Sequence, residues 1–360
     1  MCVSTRIFCP ALTSGPGGLA SGPVSDFEKA APDVREILGK RISQLGLRIE
    51  GSSVERLVQQ LYRELERKGL RRFRPVCYLT DEWGCPDGHP VIGIPFYLAD
   101  PKLARLEREM NDLEDEREIM MYLRHEAGHA FNYAYALFGT PEWRRLFGPF
   151  NRRYRDHYRP VPFSRKHVRH LAGWYAQKHP DEDFAETFAV WLTPRSNWRI
   201  KYKAWPALHK LRYVERVARM VGDRDPLILK GDFDLTVEDM KLTVEQFYRR
   251  LSKQNGNAVN VALETDLAGM FMPRGRRRKG IRPAWELVDE NRLALTDKIT
   301  YWTGVRRPLV RGLVERIART CRERELYADV GREPQLMVEL TAFATTLAMN
   351  YLTRGRFVMG

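Results

Sequence analysis

The chain has 360 residues, 43% of them hydrophobic and 11% aromatic, a composition that can bury a full core and excludes a disordered protein. No apolar run approaches the roughly eighteen residues of a membrane span, and five irregularly spaced cysteines without a CxxC pair exclude a zinc ribbon and a disulfide scaffold. The formal charge is +14, and residues 141–220 alone hold 18 Lys/Arg against 7 Asp/Glu, a surface that suits an acidic partner or is simply solvated. There is no helix-turn-helix, RRM or zinc-finger pattern, so nucleic acid is not the expected partner.

In chain order, residues 1–30 are rich in Gly, Ser, Pro and Ala and read as a flexible leader. Its first 26 residues, with one basic residue and no sustained apolar segment, make a poor signal peptide, which leads to an expected cytoplasmic location. Residues 31–72 read as an N-terminal helical segment. Its main helix, Val54–Lys68, carries Val54, Leu57, Val58, Leu61, Tyr62 and Leu65 on one face, with Ser52 and Glu55 as a capping box and Gly69 as the stop.

Next, "FRPVCYLT" and "PVIGIPFYLAD" read as two strands joined by the turn-rich "DEWGCPDGH". The strand around Ile92–Leu98 is a candidate edge for an added peptide strand, and Cys77 and Cys85, flanking the turn, could pair under oxidation. A charged helix runs from Leu103 to Glu116 into "YLRHEAGHAFNYAYALFG", Tyr122–Gly139. Strands followed by these helices make a compact α+β arrangement.

"SRKHVRHLAGWYAQKHPDEDFAETFAVWLTP" then reads as two helices separated by His179-Pro180. Pro180 suits a first helical position, and Asp181, Glu182 and Asp183 suit the positive end of a helix dipole. A further helix covers roughly Pro206–Val221. Residues 221–283 read as a linker and mixed segment with a helix cap at Thr243 and Gln246 and a basic loop, "PRGRRRKGIRP". Residues 284–360 read as a C-terminal helical bundle, with helices near 284–299, 307–325 and 334–353 and Cys321 as a buried thiol.

The chemistry concentrates in "RHEAGHA". Helical residues four apart lie about 40° from each other around the axis, so His125 and His129 project from one face and can reach a single zinc. Glu126, turned about 100° from His125, is close enough to act on water at the metal without being an obvious ligand. Ile119, Leu123, Ala127, Ala130, Phe131 and Ala134 would hold the helix in the core. The extended HExxHxxGxxH form is absent, because no histidine lies six residues past His129. "HPDEDFAETFAVWL" instead offers Glu182 and Glu186, four apart on an otherwise apolar helix where unpaired acids are costly. One carboxylate could complete the site while the other accepts the free ring N–H of a ligand histidine.

"RHEAGHA" followed some fifty residues later by "WYAQKHPDEDFAETFAVWL" resembles the putative zinc-binding metallo-peptidase family of bacteria, within the gluzincins. The resemblance runs over roughly residues 73–220 and includes "GIPFYLADPKLARLEREM" and "YRPVPFSRKHVRHLAGWYA". More distantly, a tyrosine seven residues before the glutamate of a Glu-x-Phe-Ala-like segment is similar to anthrax lethal factor and Mlc titration factor A. The resemblance implies an α+β, zincin-like domain over 73–220, with a small antiparallel or mixed sheet and active-site helices. A mainly helical C-terminal region would follow.

It further implies one zinc ion per chain, held by His125, His129 and Glu182, with Glu186 on a ligand histidine. Glu126 would be the general base and Tyr175 the hydrogen-bond donor to the transition state, with His167, His170 and His179 as rival donors. The expected activity is zinc-dependent hydrolysis of a protein or peptide. The alternative is a zinc-containing regulatory protein that docks a partner, with little or no peptidase activity.

Overall fold

The computed structural model describes residues 5–6, 32–110, 113–154, 158, 160–161, 163–256, 263–273, 280–305, 307–354 and 357. The leader (apart from the strand β1, Thr5–Arg6) and residues 274–279 of the expected basic loop lie outside them. The chain forms two compact units, Met1–Tyr248 and Arg249–Gly360. Among the described residues no helix is long and apolar enough to cross a membrane. The fold is α+β with a mainly helical C-terminal region.

In the first unit, α1 (Pro32–Leu38) is followed by α2 (Ser53–Arg67), which buries Val54, Leu57, Val58, Leu61 and Leu65. Its expected capping box is not formed. Ser52 Oγ donates to Ile49 O of the preceding turn (2.6 Å), and Glu55 accepts from Gly51 N instead (2.9 Å).

Three more strands follow: β2 (Val76–Thr80), β3 (Gly84–Cys85) and β4 (Val91–Pro95). The sheet order is β1-β3-β4-β2. The two expected strands are neighbours, but β2 and β4 run parallel, while β3 pairs antiparallel with β4 at Gly84 and Gly93. The expected edge is therefore an interior strand, with Val91–Pro95 buried throughout. Its continuous apolar run is what a strand covered on both faces requires. Cys77 on β2 and Cys85 on β3 are free thiols with β4 between them. Two strand spacings of about 4.8 Å put them beyond disulfide reach.

The helix read as continuous from Leu103 is broken into α3 (Pro101–Met110) and α4 (Glu116–Ala134). Glu114 turns inward to accept from Trp83 Nε1 (3.2 Å) and Tyr97 OH (3.0 Å). Asp115 and Glu118 then cap α4 reciprocally, at 2.8 and 3.1 Å. After α5 (Pro141–Phe147) comes α6 (Pro180–Leu192), with Pro180 in its first turn and His179 as N-cap. The helix expected before His179 is absent. Among residues 163–179 only Tyr175–Gln177 form a turn of 3-10 helix. The amides of His170 and Leu171 donate to Glu186 (3.1 and 3.0 Å) rather than to a helical ladder, and Gly173 and Trp174 adopt φ of 90° and 51°.

Short α7 (Trp198–Lys201) and α8 (Ala207–Val221) follow. The next helix, α9 (Val244–Gly256), is capped by Thr243 and Gln246 in both directions, at 3.2 and 3.0 Å. The second unit holds α10 (Glu264–Met270), α11 (Ala284–Glu290), α12 (Arg292–Thr303), α13 (Arg307–Glu323) and α14 (Glu333–Arg354). The helix expected over 284–299 breaks at Asn291. A small sheet joins them, in which β5 (Met272–Pro273) and β6 (Ile281–Pro283) flank β7 (Leu326–Asp329) in the order β5-β7-β6. Leu287, Leu313, Ile317, Leu340 and Leu347 centre its core, and Cys321 is fully buried.

Candidate metal centre

Helices α4 and α6 carry the cluster, and they approach closely where each presents a small residue. A β-carbon on Gly128 would lie 2.7 Å from Ala185 Cα and 2.9 Å from Ala185 O. That contact brings the N-terminal turn of α6 against the histidine face of α4.

His125 Nε2 and His129 Nε2 lie 3.1 Å apart, and Glu182 Oε2 is 3.0 Å from the first and 3.2 Å from the second. The opposite ring nitrogens are both committed to carboxylates. His125 Nδ1 donates to Glu186 (3.0 Å) and His129 Nδ1 to Asp181 (2.7 Å). All five side chains are buried.

These three residues each offer one ligand atom to a common point and could hold a metal ion. Atoms on a tetrahedron with bonds of 2.0–2.1 Å sit about 3.3 Å apart, close to the triangle observed. The donor set, two imidazoles and a carboxylate, is one that zinc takes. With both Nδ1 atoms donating to carboxylates, the two Nε2 atoms and Glu182 Oε2 converge on one point, where a bound cation would take the place of the imidazole protons.

Glu126 is fully buried, and neither of its oxygens has a hydrogen-bond partner. Burial, reinforced by the charges of Glu182 and Asp181 against the two histidines, pushes its carboxyl up to about 7. His125 is raised as well, against its burial. Burial disfavours its charge, yet hydrogen bonds to Glu182 and Glu186 raise it to about 9. Burial also opposes ionisation of Glu182, but His129 and His125 hold it well below the usual carboxylate range.

Tyr175 sits beside this group, its ring 5.7 Å from that of His125. Its hydroxyl lies 3.3 Å from Tyr154 OH and accepts from Lys178 Nζ at 3.3 Å. Tyr154 donates to Glu182 Oε1. The rival donors face elsewhere: His170 Nε2 meets Met121 O (2.9 Å), His179 Nε2 meets Arg152 O (2.8 Å), and His167 lies 3.7 Å from Asp183.

Several members of the site were not read from the sequence. Asp181, taken only as a dipole acid, accepts from His129, from Asn132 Nδ2 (2.6 Å) and from Tyr133 OH (2.6 Å). Three acids in succession at the start of an otherwise apolar helix were the available signal, since each needs a partner if the helix is buried. Asp183 is paired with Lys210 of α8. Arg124, next to His125, forms a buried two-bond pair with Glu64 of α2 at 2.7 and 2.8 Å. Tyr154 had no sequence signal, because it precedes α6 in an irregular segment.

No curated protein and no solved structure matches the chain. Residues 84–205, which contain His125, Glu126, His129, Tyr154, Tyr175, Asp181, Glu182 and Glu186, match the family model "Putative zinc-binding metallo-peptidase", the family that the paired histidine and glutamate motifs resemble.

Proposed function

We propose that the protein is a zinc-dependent metallopeptidase, with His125, His129 and Glu182 as the ligands of one zinc ion and Glu126 as the general base. The observation that carries this reading is Glu126 itself, a buried carboxylate beside the ligand triangle with both oxygens unpaired. Every other acid in the cluster has a partner, so Glu126 is the one free to take a proton.

A zinc ion held there supplies Lewis acidity and lowers the pKa of a coordinated water to about 7. Glu126, poised near neutrality by burial, accepts the proton of the attacking water and delivers it to the leaving amine. Tyr175 donates its hydroxyl to the oxygen of the tetrahedral intermediate, with Lys178 donating to that hydroxyl. The substrate is a protein or peptide, in keeping with the matched family.

Metal analysis and a peptide-library digest of wild type and Glu126→Gln test the proposal. Wild type should carry one zinc per chain and cleave. Glu126→Gln should keep the zinc and lose roughly 10²–10⁴-fold in rate. Wild type purified without zinc, and unable to bind added zinc, would sink the proposal.

A second reading, a zinc-containing regulatory protein, is favoured by one observation: His125, Glu126, His129 and Glu182 are each 0% exposed. It expects Glu126→Gln to replace wild type fully in a deletion strain.

A further inference from the structure

Glu182 faces two ways. Oε2 lies against both ligand nitrogens, whereas Oε1 accepts the hydroxyl of Tyr154. A carboxylate with two free oxygens can bind a cation through one or both. A donor fixed on one oxygen draws off its charge and occupies its lone pair, leaving the other as ligand.

The position of Tyr154 is tied to the start of α6 by His179. The Asp181 amide donates to His179 Nδ1 (3.2 Å), so the ring proton resides on Nε2, which donates to Arg152 O (2.8 Å). One imidazole thus holds the chain two residues before Tyr154 and the helix turn that carries Glu182. The Tyr154 ring packs 5.3 Å from His179, and Lys178 Nζ lies 4.5 Å above its face.

We propose that Tyr154 is a positioning residue for the metal site: its hydroxyl holds Oε1 of Glu182, so that the carboxylate meets the ion through Oε2 alone and a coordination position stays open for water or substrate. This rests on the reading of His125, His129 and Glu182 as ligands. The hydroxyl has a single proton and gives it to Glu182, so Tyr154 can only accept from Tyr175. That leaves Tyr175 free to exchange its 3.3 Å contact for a substrate oxygen.

The test compares Tyr154→Phe with Tyr158→Phe, whose hydroxyl meets Gly173 O (2.8 Å) and no ligand. Two readouts are taken on folded protein, with circular dichroism establishing the fold: zinc affinity by chelator competition, and the visible spectrum of the protein loaded with Co(II). Phenylalanine keeps the ring packing. Tyr154→Phe should bind zinc about 10–100-fold more weakly. Its cobalt bands should lose intensity as Glu182 becomes two-toothed and four-coordination gives way to five, while Tyr158→Phe matches wild type.

A cobalt spectrum unchanged in Tyr154→Phe would overturn the proposal, even if affinity falls, because the hydroxyl would then not set how Glu182 meets the ion. Equal changes in both variants would overturn it too. Wild type that binds neither metal would instead remove the ligand assignment beneath it, so the two failures are distinguishable.

Discussion

Asp181 Oδ2 accepts the ring proton of His129 Nδ1 at 2.7 Å, the counterpart on α6 of the 3.0 Å bond between Glu186 and His125 Nδ1. Each histidine of α4 is thereby held in one orientation by an acid of α6, one on either side of Glu182. Asp181→Asn keeps the shape but no longer offers a charged acceptor. Zinc affinity should fall about 10–100-fold with little change in far-UV dichroism. Chelator competition measures it, and wild-type affinity in the variant would show that His129 needs no such partner.

The two glutamates of α6 should separate by stoichiometry. Glu182→Gln is expected to lose zinc outright. Glu186→Gln should retain it with weakened affinity and should also loosen the segment at His170 and Leu171, whose amides lose a charged acceptor. Elemental analysis of both proteins after dialysis decides between them, and the reverse pattern would exchange the assignments.

Gly128→Ala puts a methyl group 2.7 Å from the Ala185 backbone, and neither main chain can yield without separating α4 from α6. Overpacking of this kind costs about 1–3 kcal/mol. Denaturant unfolding should report that loss, accompanied by weaker zinc binding, because the same separation moves Glu182 from the histidines. A neutral effect would mean that the helices can part without cost.

Arg124 and Glu64 form a pair in which both partners are nearly sealed from solvent. Arg124→Met alone should destabilise the first unit by about 3–5 kcal/mol, since it strands a buried carboxylate. The double change Arg124→Met with Glu64→Leu should recover most of that. A double variant as unstable as the single one would show that the pair contributes more than mutual neutralisation.

His167 is partly buried, and desolvation together with Lys210 and Lys166 depresses its imidazole to about 4, with Asp183 facing it at 3.7 Å. A folded pKa below the unfolded value near 6.5 means that the unfolded chain binds more protons between these values. The stability contributed is therefore full above pH 6.5 and lost as pH falls toward 4. Solvent screening makes the loss smaller than the full shift implies. His167→Asn should flatten this part of the stability–pH curve, measured by urea unfolding from pH 7.5 to 4.5. Parallel curves would remove His167 from the account.

The sequence by itself determined the local geometry. The 3.6-residue period places His125 and His129 on one face whatever surrounds them, Pro180 starts α6, and Thr243 with Gln246 caps α9. These features involve neighbours a few residues apart, where backbone sterics and short-range hydrogen bonds decide. The tertiary structure decided every feature in which competing partners lie far along the chain.

Residues 164–174 have a helical pattern but spend two amides on Glu186. The run Val91–Pro95 could be an edge or a centre until β2 and β3 pair with it on both sides. Asp181, Glu182 and Glu186 are chemically alike in the sequence. The close approach of Gly128 to Ala185, by fixing the rotation and spacing of α6 against α4, separates the acid that meets both Nε2 atoms from the two that hold the rings.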